Sequence, residues 1–288
     1  MKITNKFNLP ENIVNAVKKS THVGADYSAS MLENSARQVW LTKRHDAEIE
    51  QDASDMVFSL FGSAFHHILQ SGETANQLVE EYLTDTIGGV KLSGMADLYE
   101  DGKITDYKTT SAWTMIYGSR VDDWTKQLNI YAYLYGKANF EVKELEIIAF
   151  LRDWSKSKAK YDPAYPQSQV AVVKIELWDK AKVFDYIVDR IGEFEKYKQV
   201  ADNELPYCTD KEVWQKENVY KCMKEGRKSS VKNFEVKADA EKYCFENKLK
   251  LVEFLGERVK CEDYCPAKKF CSQYAEYKKE NTNGQDNI

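Results

Sequence analysis

The chain has 288 residues, 43% of them hydrophobic and 30% charged, with a formal net charge of -5. That composition describes an ordinary globule with ample material for a core, and the acidic balance excludes a uniformly basic nucleic-acid-coating protein while allowing a local basic cleft. No apolar run is long enough to span a membrane and MKITNKFNLP carries no apolar signal segment, so a cytoplasmic protein without a membrane partner is expected.

Residues 53–70, ASDMVFSLFGSAFHHILQ, place Met56, Leu60, Ala64 and Ile68 four apart, which predicts a helix; ETANQLVEEYL (73–83) predicts a second. VKLSGMADLYE (90–100) and KITDYKT (103–109) read as strands around Asp101-Gly102, the short-range signal of a two-residue hairpin. The pattern returns to helix over 121–138, reads as strand over 142–154 and 170–178, and becomes a long amphipathic helix over 179–199. A cysteine-containing region opens at Leu205-Pro206, and the polar end KKENTNGQDNI is expected to fray. The organisation predicted is α/β: a mixed central sheet flanked by helices, with a cysteine-containing C-terminal extension. Its divisions are a core over 1–204 that includes an N-terminal helical segment, a cysteine region over 205–275 packed on that core, and a flexible tail over 276–288.

Counting outward from Asp101-Gly102 pairs Glu100 with Lys103, Tyr99 with Ile104, Leu98 with Thr105 and Asp97 with Asp106. Directly opposed residues have Cβ atoms about 4.5–5.5 Å apart, where two carboxylates repel by roughly 3 kcal/mol at an effective dielectric near 20. A divalent cation would reverse that sign. Lys108 falls on the same strand face as Asp106, so two carboxylates and an ammonium are expected to converge; the plainer alternative is a solvated hairpin with a surface ion pair.

Gly94-x-x-Asp97 followed by Asp106-Tyr107-Lys108 resembles the signature of the PD-(D/E)XK nuclease superfamily. Gly62-Ser63-Ala64-Phe65-His66 is similar to the Gly-x-x-x-His element of its RecB-like, phage-type exonuclease branch, and Gln127-Leu128-Asn129-Ile130-Tyr131 to that branch's Gln-x-x-x-Tyr element. Helical spacing aligns Ser59, Gly62, His66 and Gln70 on one face and Gln127 with Tyr131 on another, whereas His67 points elsewhere. The segment DYSASMLENSARQVWLTKRH (26–45) also looks like the opening of phage-encoded members.

The resemblance implies a restriction-endonuclease-like core and a Mg²⁺- or Mn²⁺-dependent deoxyribonuclease, an exonuclease in phage or recombination DNA processing. It implies His66, Asp97, Asp106 and the Tyr107 carbonyl as metal ligands. Lys108 would orient the attacking water or neutralise phosphate charge, and Gln127 and Tyr131 would position DNA or the lysine. Its partners would be DNA and a single-strand annealing or other recombination protein; a phage-encoded member would work in the host cytoplasm. A CRISPR-adaptation or repair nuclease on the same fold, and a non-catalytic DNA-binding or assembly protein, are the alternatives.

In a reducing compartment six cysteines point to metal ligation or buried thiols rather than a disulfide framework. Cys261-x3-Cys265-Pro266-x4-Cys271 packs three thiols closely, with Cys208 the expected fourth and Cys222 behind it. This order resembles iron-sulfur nucleases such as AddB and the CRISPR-adaptation nucleases, which implies a [4Fe–4S] cluster, with zinc as the alternative. Those families take one cysteine from before the histidine element, where MLENSARQVW has none, and usually space the close pair by two residues. The lysine-rich KCMKEGRKSSVK (221–232) is either a solvated face or a polyanion contact.

Overall fold

Asp101 and Gly102 both adopt positive φ, 49° and 86°, the pair of left-handed conformations that a type I′ turn requires. The hairpin they close has the register counted from sequence: Glu100 opposite Lys103, Tyr99 opposite Ile104, Leu98 opposite Thr105. The computed structural model describes residues 1–18, 24–72, 74–227 and 229–286, with side chains as far as 281. It separates into two compact units, one formed by Ile3–Glu33 and Gln51–Glu195, the other by Met1–Lys2, Asn34–Glu50 and Lys196–Ile288.

In the first unit a five-stranded sheet runs in the order Val170–Ile175, Glu144–Leu151, Lys103–Thr110, Leu98–Glu100, Leu78–Val79. It is mixed: Lys103–Thr110 pairs in parallel with Glu144–Leu151, and the other neighbours are antiparallel. A parallel pair needs a crossover, and helices Ala112–Tyr117 and Val121–Lys137 fill it. A three-stranded sheet places Val90–Met95 between Tyr27–Ser28 and Tyr82–Ile87.

Period-two alternation decides which helix each strand residue meets. Along Glu144–Leu151 the residues Leu145, Ile147, Ala149 and Leu151 are buried; Asp106 and Lys108 pair with Ile147 and Ala149 and so share that face, against which helix Val121–Lys137 packs. Tyr107, Thr109 and Phe150 point the other way, to helix Val57–Gln70, where Phe65 meets Phe150 at 4.9 Å between ring centroids. The α/β reading, a mixed sheet with helices on both faces, describes this unit.

One local expectation is overturned. Residues 74–83 do not form a helix: Leu78–Val79 and Tyr82–Ile87 are strands, and residue 73 lies outside the described residues. The β-branched residues Thr84, Thr86 and Ile87 continue an alternating exposure that suits a half-covered sheet. At the polar end the backbone is helical over Ser272–Asp286; residues 287–288 lie outside the described residues.

The second unit carries a three-stranded antiparallel sheet, Lys232–Phe234, Val219–Met223 and Lys250–Phe254. Helix Lys237–Glu246 covers it through Ala240 and Cys244, which are buried with Cys222. Cys222 and Cys244 form a disulfide. This corrects two expectations, that the cysteines avoid disulfides and that Cys222 stands in reserve for the Cys208 group. Strand and helix bring thiols 22 positions apart together, a proximity that spacing along the chain does not reveal.

Candidate active site

The hairpin ladder ends one rung early. Leu98 still faces Thr105, but the strand breaks between Met95 and Leu98. Asp97 turns its carboxylate to the end of the ladder: Oδ2 accepts the Tyr107 amide N–H at 2.6 Å and Oδ1 lies 3.0 Å from Nδ1 of His66. Asp97 is buried, which strengthens both contacts.

His66 also stands 3.8 Å from Glu80 Oε1. His66, Glu80 and Asp97 are, among the described residues, a group whose potential ligand atoms all fall within 4.8 Å of one another. The hydrogen bond to Asp97 raises the His66 pKa above its ordinary value against the opposing effect of burial. The group opens on a cavity of about 240 Å³ that Gln70, Gln77, Leu98 and Tyr107 also line. An imidazole with two carboxylates is a donor set that suits Mn²⁺ and accepts Mg²⁺.

Asp106 lies outside that compact group. It is buried on the opposite strand face, with Oδ2 2.6 Å from Lys108 Nζ. Burial raises the Asp106 pKa and Lys108 opposes it; burial lowers that of Lys108, but the Asp106 charge outweighs it and the net direction is up. Asp97 and Asp106 are not a rung of the ladder, yet the Asp97 charge adds to the rise of the Asp106 pKa. Each has its own partner, Asp97 the imidazole and Asp106 the ammonium.

Behind Lys108, Gln127 and Tyr131 are buried on one face of helix Val121–Lys137, and Gln127 Nε2 donates to the Tyr131 hydroxyl at 2.8 Å. Burial and the charges of Asp106, Asp97 and Glu33 drive the Tyr131 pKa well up, keeping the phenol neutral. Gly94 makes room for that ring: a Cβ built there would stand 2.9 Å from Tyr131 Cδ1 and 2.6 Å from Leu134 Cδ1. Of the small stripe on helix Val57–Gln70, His66 and Gln70 reach the cavity and Gly62 faces Thr109. Ser59 is exposed and bonds back to the Met56 carbonyl, and His67 is exposed.

Sequence reasoning missed two carboxyls. Glu80 sits at positive φ, 50°, where its amide reaches the Asp97 carbonyl at 3.3 Å; it lies in the segment read as helix, so no periodic signal marks it. Glu33 follows the buried Leu32, whose carbonyl accepts Arg190 Nε at 2.9 Å. Its Oε1 is buried without a hydrogen-bond partner, and burial, opposed mainly by Lys108, pushes its pKa up to about 8. An acidic residue within the otherwise small and apolar ASMLENSA was the available signal.

In the second unit Cys208, Cys261, Cys265 and Cys271 line one small cavity of about 20 Å³. Buried Arg37 donates through Nε to Cys271 Sγ at 3.2 Å, while its Nη atoms hold the Leu205 carbonyl and the Ser272 hydroxyl, each at 2.6 Å. Ser35 Oγ and Cys208 Sγ are 3.1 Å apart. Burial pushes the Cys208 thiol up to about 11 and that of Cys261 to about 12, so these sulfurs become thiolates only with a cation among them.

No family model and no curated protein matches this chain. It is similar in structure to SSO0001, at 18% identity over 63% of this chain and 82% of the other, with a TM-score of 0.44. An alkaline exonuclease (LHK-Exo) from Laribacter hongkongensis is similar at 13% identity over 66% and 94%, TM-score 0.37. LHK-Exo in complex with dAMP is similar at 15% identity over 60% and 89%, TM-score 0.37.

Proposed function

We propose that this protein is a divalent-metal-dependent deoxyribonuclease acting on DNA ends. The observation that carries the reading is the joining of two sites through one residue. Asp97 completes an imidazole–carboxylate group fit for a divalent cation, and its other oxygen binds the amide at the centre of Asp106-Tyr107-Lys108.

His66, Glu80 and Asp97 would hold the cation, which when bound supplies Lewis acidity to a phosphate oxygen and acidifies water. Lys108, kept as an ammonium by Asp106 and within electrostatic reach of His66, would stabilise charge that builds on phosphate oxygens during displacement. Asp106 acts as a positioning residue for that ammonium. Gln127 and Tyr131 form a neutral, buried prop behind the pair. The Tyr107 amide orients Asp97.

For the cysteine cavity we infer a [4Fe–4S] cluster in preference to zinc. The four cysteines line one cavity, and Arg37 supplies a donor to Cys271 sulfur of the kind that stabilises a thiolate ligand. Anaerobically purified protein then absorbs near about 400 nm, as expected of such clusters; colourless protein carrying stoichiometric zinc would retire the cluster.

The test of activity is release of nucleotides from end-labelled linear DNA and from a covalently closed circle of the same sequence, with Mg²⁺ and with Mn²⁺. Linear DNA is degraded and the circle resists. Cleavage of the circle at a comparable rate would turn the reading to an endonuclease, and no cleavage of either in any divalent metal would remove it.

A further inference from the structure

Several exposed rings of the first unit surround the far end of the Lys103–Thr110 strand. Trp113 and Tyr117, one turn apart on helix Ala112–Tyr117, are 48% and 73% exposed. Their rings lie nearly parallel, 16° apart in plane and 6.0 Å between centroids. Lys158 Nζ stands over the Trp113 ring at 5.4 Å. Phe58, 63% exposed, carries the Arg152 guanidinium over its face at 4.9 Å.

Both groups are tied to one strand end. The Arg152 amide bonds the Thr110 carbonyl at 2.9 Å, and Asp153 caps the next helix by accepting from the Ser111 hydroxyl and the Ala112 amide, each at 2.6 Å. Arg152 and helix Ala112–Tyr117 are thereby tied to the end of the strand that bears Lys108. At about 3.3 Å per strand residue, Ser111 is about 10 Å from Lys108.

We propose that this surface binds an unpaired DNA strand leading to the candidate active site. The inference rests on the nuclease reading for the identity of the polymer, and the surface itself selects the form of it. Exposed aromatic surface, greatest at Tyr117, stacks on bases whose own faces are free, and every base offers such a face in a single strand. The segment RDWSKSKAK (152–160) contributes Arg152, Lys156, Lys158 and Lys160 against one acid, and that acid is occupied as a helix cap. Aromatic faces interleaved with cations match a base-and-phosphate strand. Self-association through the same patch would bring these cations face to face, since a two-fold interface apposes identical surfaces, so a second copy is disfavoured as the occupant.

The experiment is fluorescence anisotropy of labelled oligodeoxythymidine and of a blunt duplex of equal length, in EDTA so that nothing is cleaved. Wild-type protein is expected to bind the single strand more tightly. Trp113→Ala/Tyr117→Ala weakens that binding by about 10- to 100-fold, the loss of two stacked rings at the lower end of the usual range, with a smaller effect on the duplex. Arg152→Gln/Lys158→Gln reduces the slope of log affinity against log salt by about 1.4, two phosphate contacts at about 0.7 each. Unfolding midpoints confirm that the exposed substitutions leave the fold intact.

Unchanged single-strand affinity in the ring variant overturns the proposal. So does a wild-type preference for the blunt duplex, or a dimer that dissociates when the rings are removed. Binding that depends on the rings in a protein that cleaves nothing with any metal leaves the surface standing and removes the nuclease reading. Cleavage by a protein whose affinity ignores the rings does the reverse.

Discussion

Glu33→Gln tests the electrostatics around Lys108 through stability alone. Burial moves the Glu33 carboxyl from its ordinary 4.5 up to about 8, and its Oε1 has no hydrogen-bond partner. Between those pH values the unfolded chain has lost this proton and the folded chain retains it, so stability falls as pH rises, by about 1.4 kcal/mol per pH unit. The full interval would amount to about 5 kcal/mol, and relaxation around a carboxyl that is not wholly enclosed brings the expectation to about 2–4 kcal/mol. A glutamine of the same shape does not titrate. Urea unfolding of both proteins at intervals from pH 4.5 to pH 8 should show Glu33→Gln gaining on the wild type throughout that window, with little change in the difference below it. A stability difference that stays flat with pH would refute the argument, because it would show that folded and unfolded chains hold this proton equally.

Gly94→Ala should destabilise by about 1–3 kcal/mol through overpacking, since the new Cβ meets Tyr131 Cδ1 at 2.9 Å and Leu134 Cδ1 at 2.6 Å; thermal unfolding should fall by about 2–4 °C per kcal/mol. Lys108→Ala should lower DNA cleavage by about 10²–10³-fold, as for loss of a transition-state charge partner, while calorimetric Mn²⁺ affinity changes little; cleavage at the wild-type rate would remove its role. Glu80→Ala should weaken Mn²⁺ binding by at least about tenfold, which titration calorimetry would read, and unchanged affinity would exclude Glu80 as a ligand. Arg37→Met should destabilise the second unit by about 2–4 kcal/mol, because the buried Leu205 carbonyl and Ser272 hydroxyl lose their donors, and urea unfolding measures it.

What the sequence made legible was whatever depends on local geometry. The Asp101-Gly102 turn could be read because its conformation is a property of two residues, and the hairpin register followed by counting. The placement of His66 and Gln70 on one helix face, and of Gln127 beside Tyr131 on another, followed from helical period. Counting failed at Asp97 because the strand breaks just before Leu98, an event with no local signature. Glu80 was hidden because its role comes from a left-handed bend between two short strands. The burial of Glu33 and the Cys222–Cys244 bond arise only when distant segments pack. Three of the four cysteines in the small cavity are near neighbours in sequence, which is why their grouping could be expected, with Cys208 the longer step.

The partners that Asp97 and Asp106 take bear on what a cation has to do. Had the two carboxylates faced each other, roughly 3 kcal/mol of repulsion would have favoured any divalent ion placed between them. With His66 and Lys108 as their partners, the case for an ion rests on the His66–Glu80–Asp97 group rather than on repulsion across the hairpin. The entry side is also specified: the cavity is lined by His66, Glu80, Asp97 and Tyr107, while Lys108 lies on the opposite strand face against buried Asp106. Asp97, at the point where the sheet edge breaks, is the residue able to serve both faces. Its loss should therefore uncouple ion binding from the ammonium, a larger effect than removal of either partner alone.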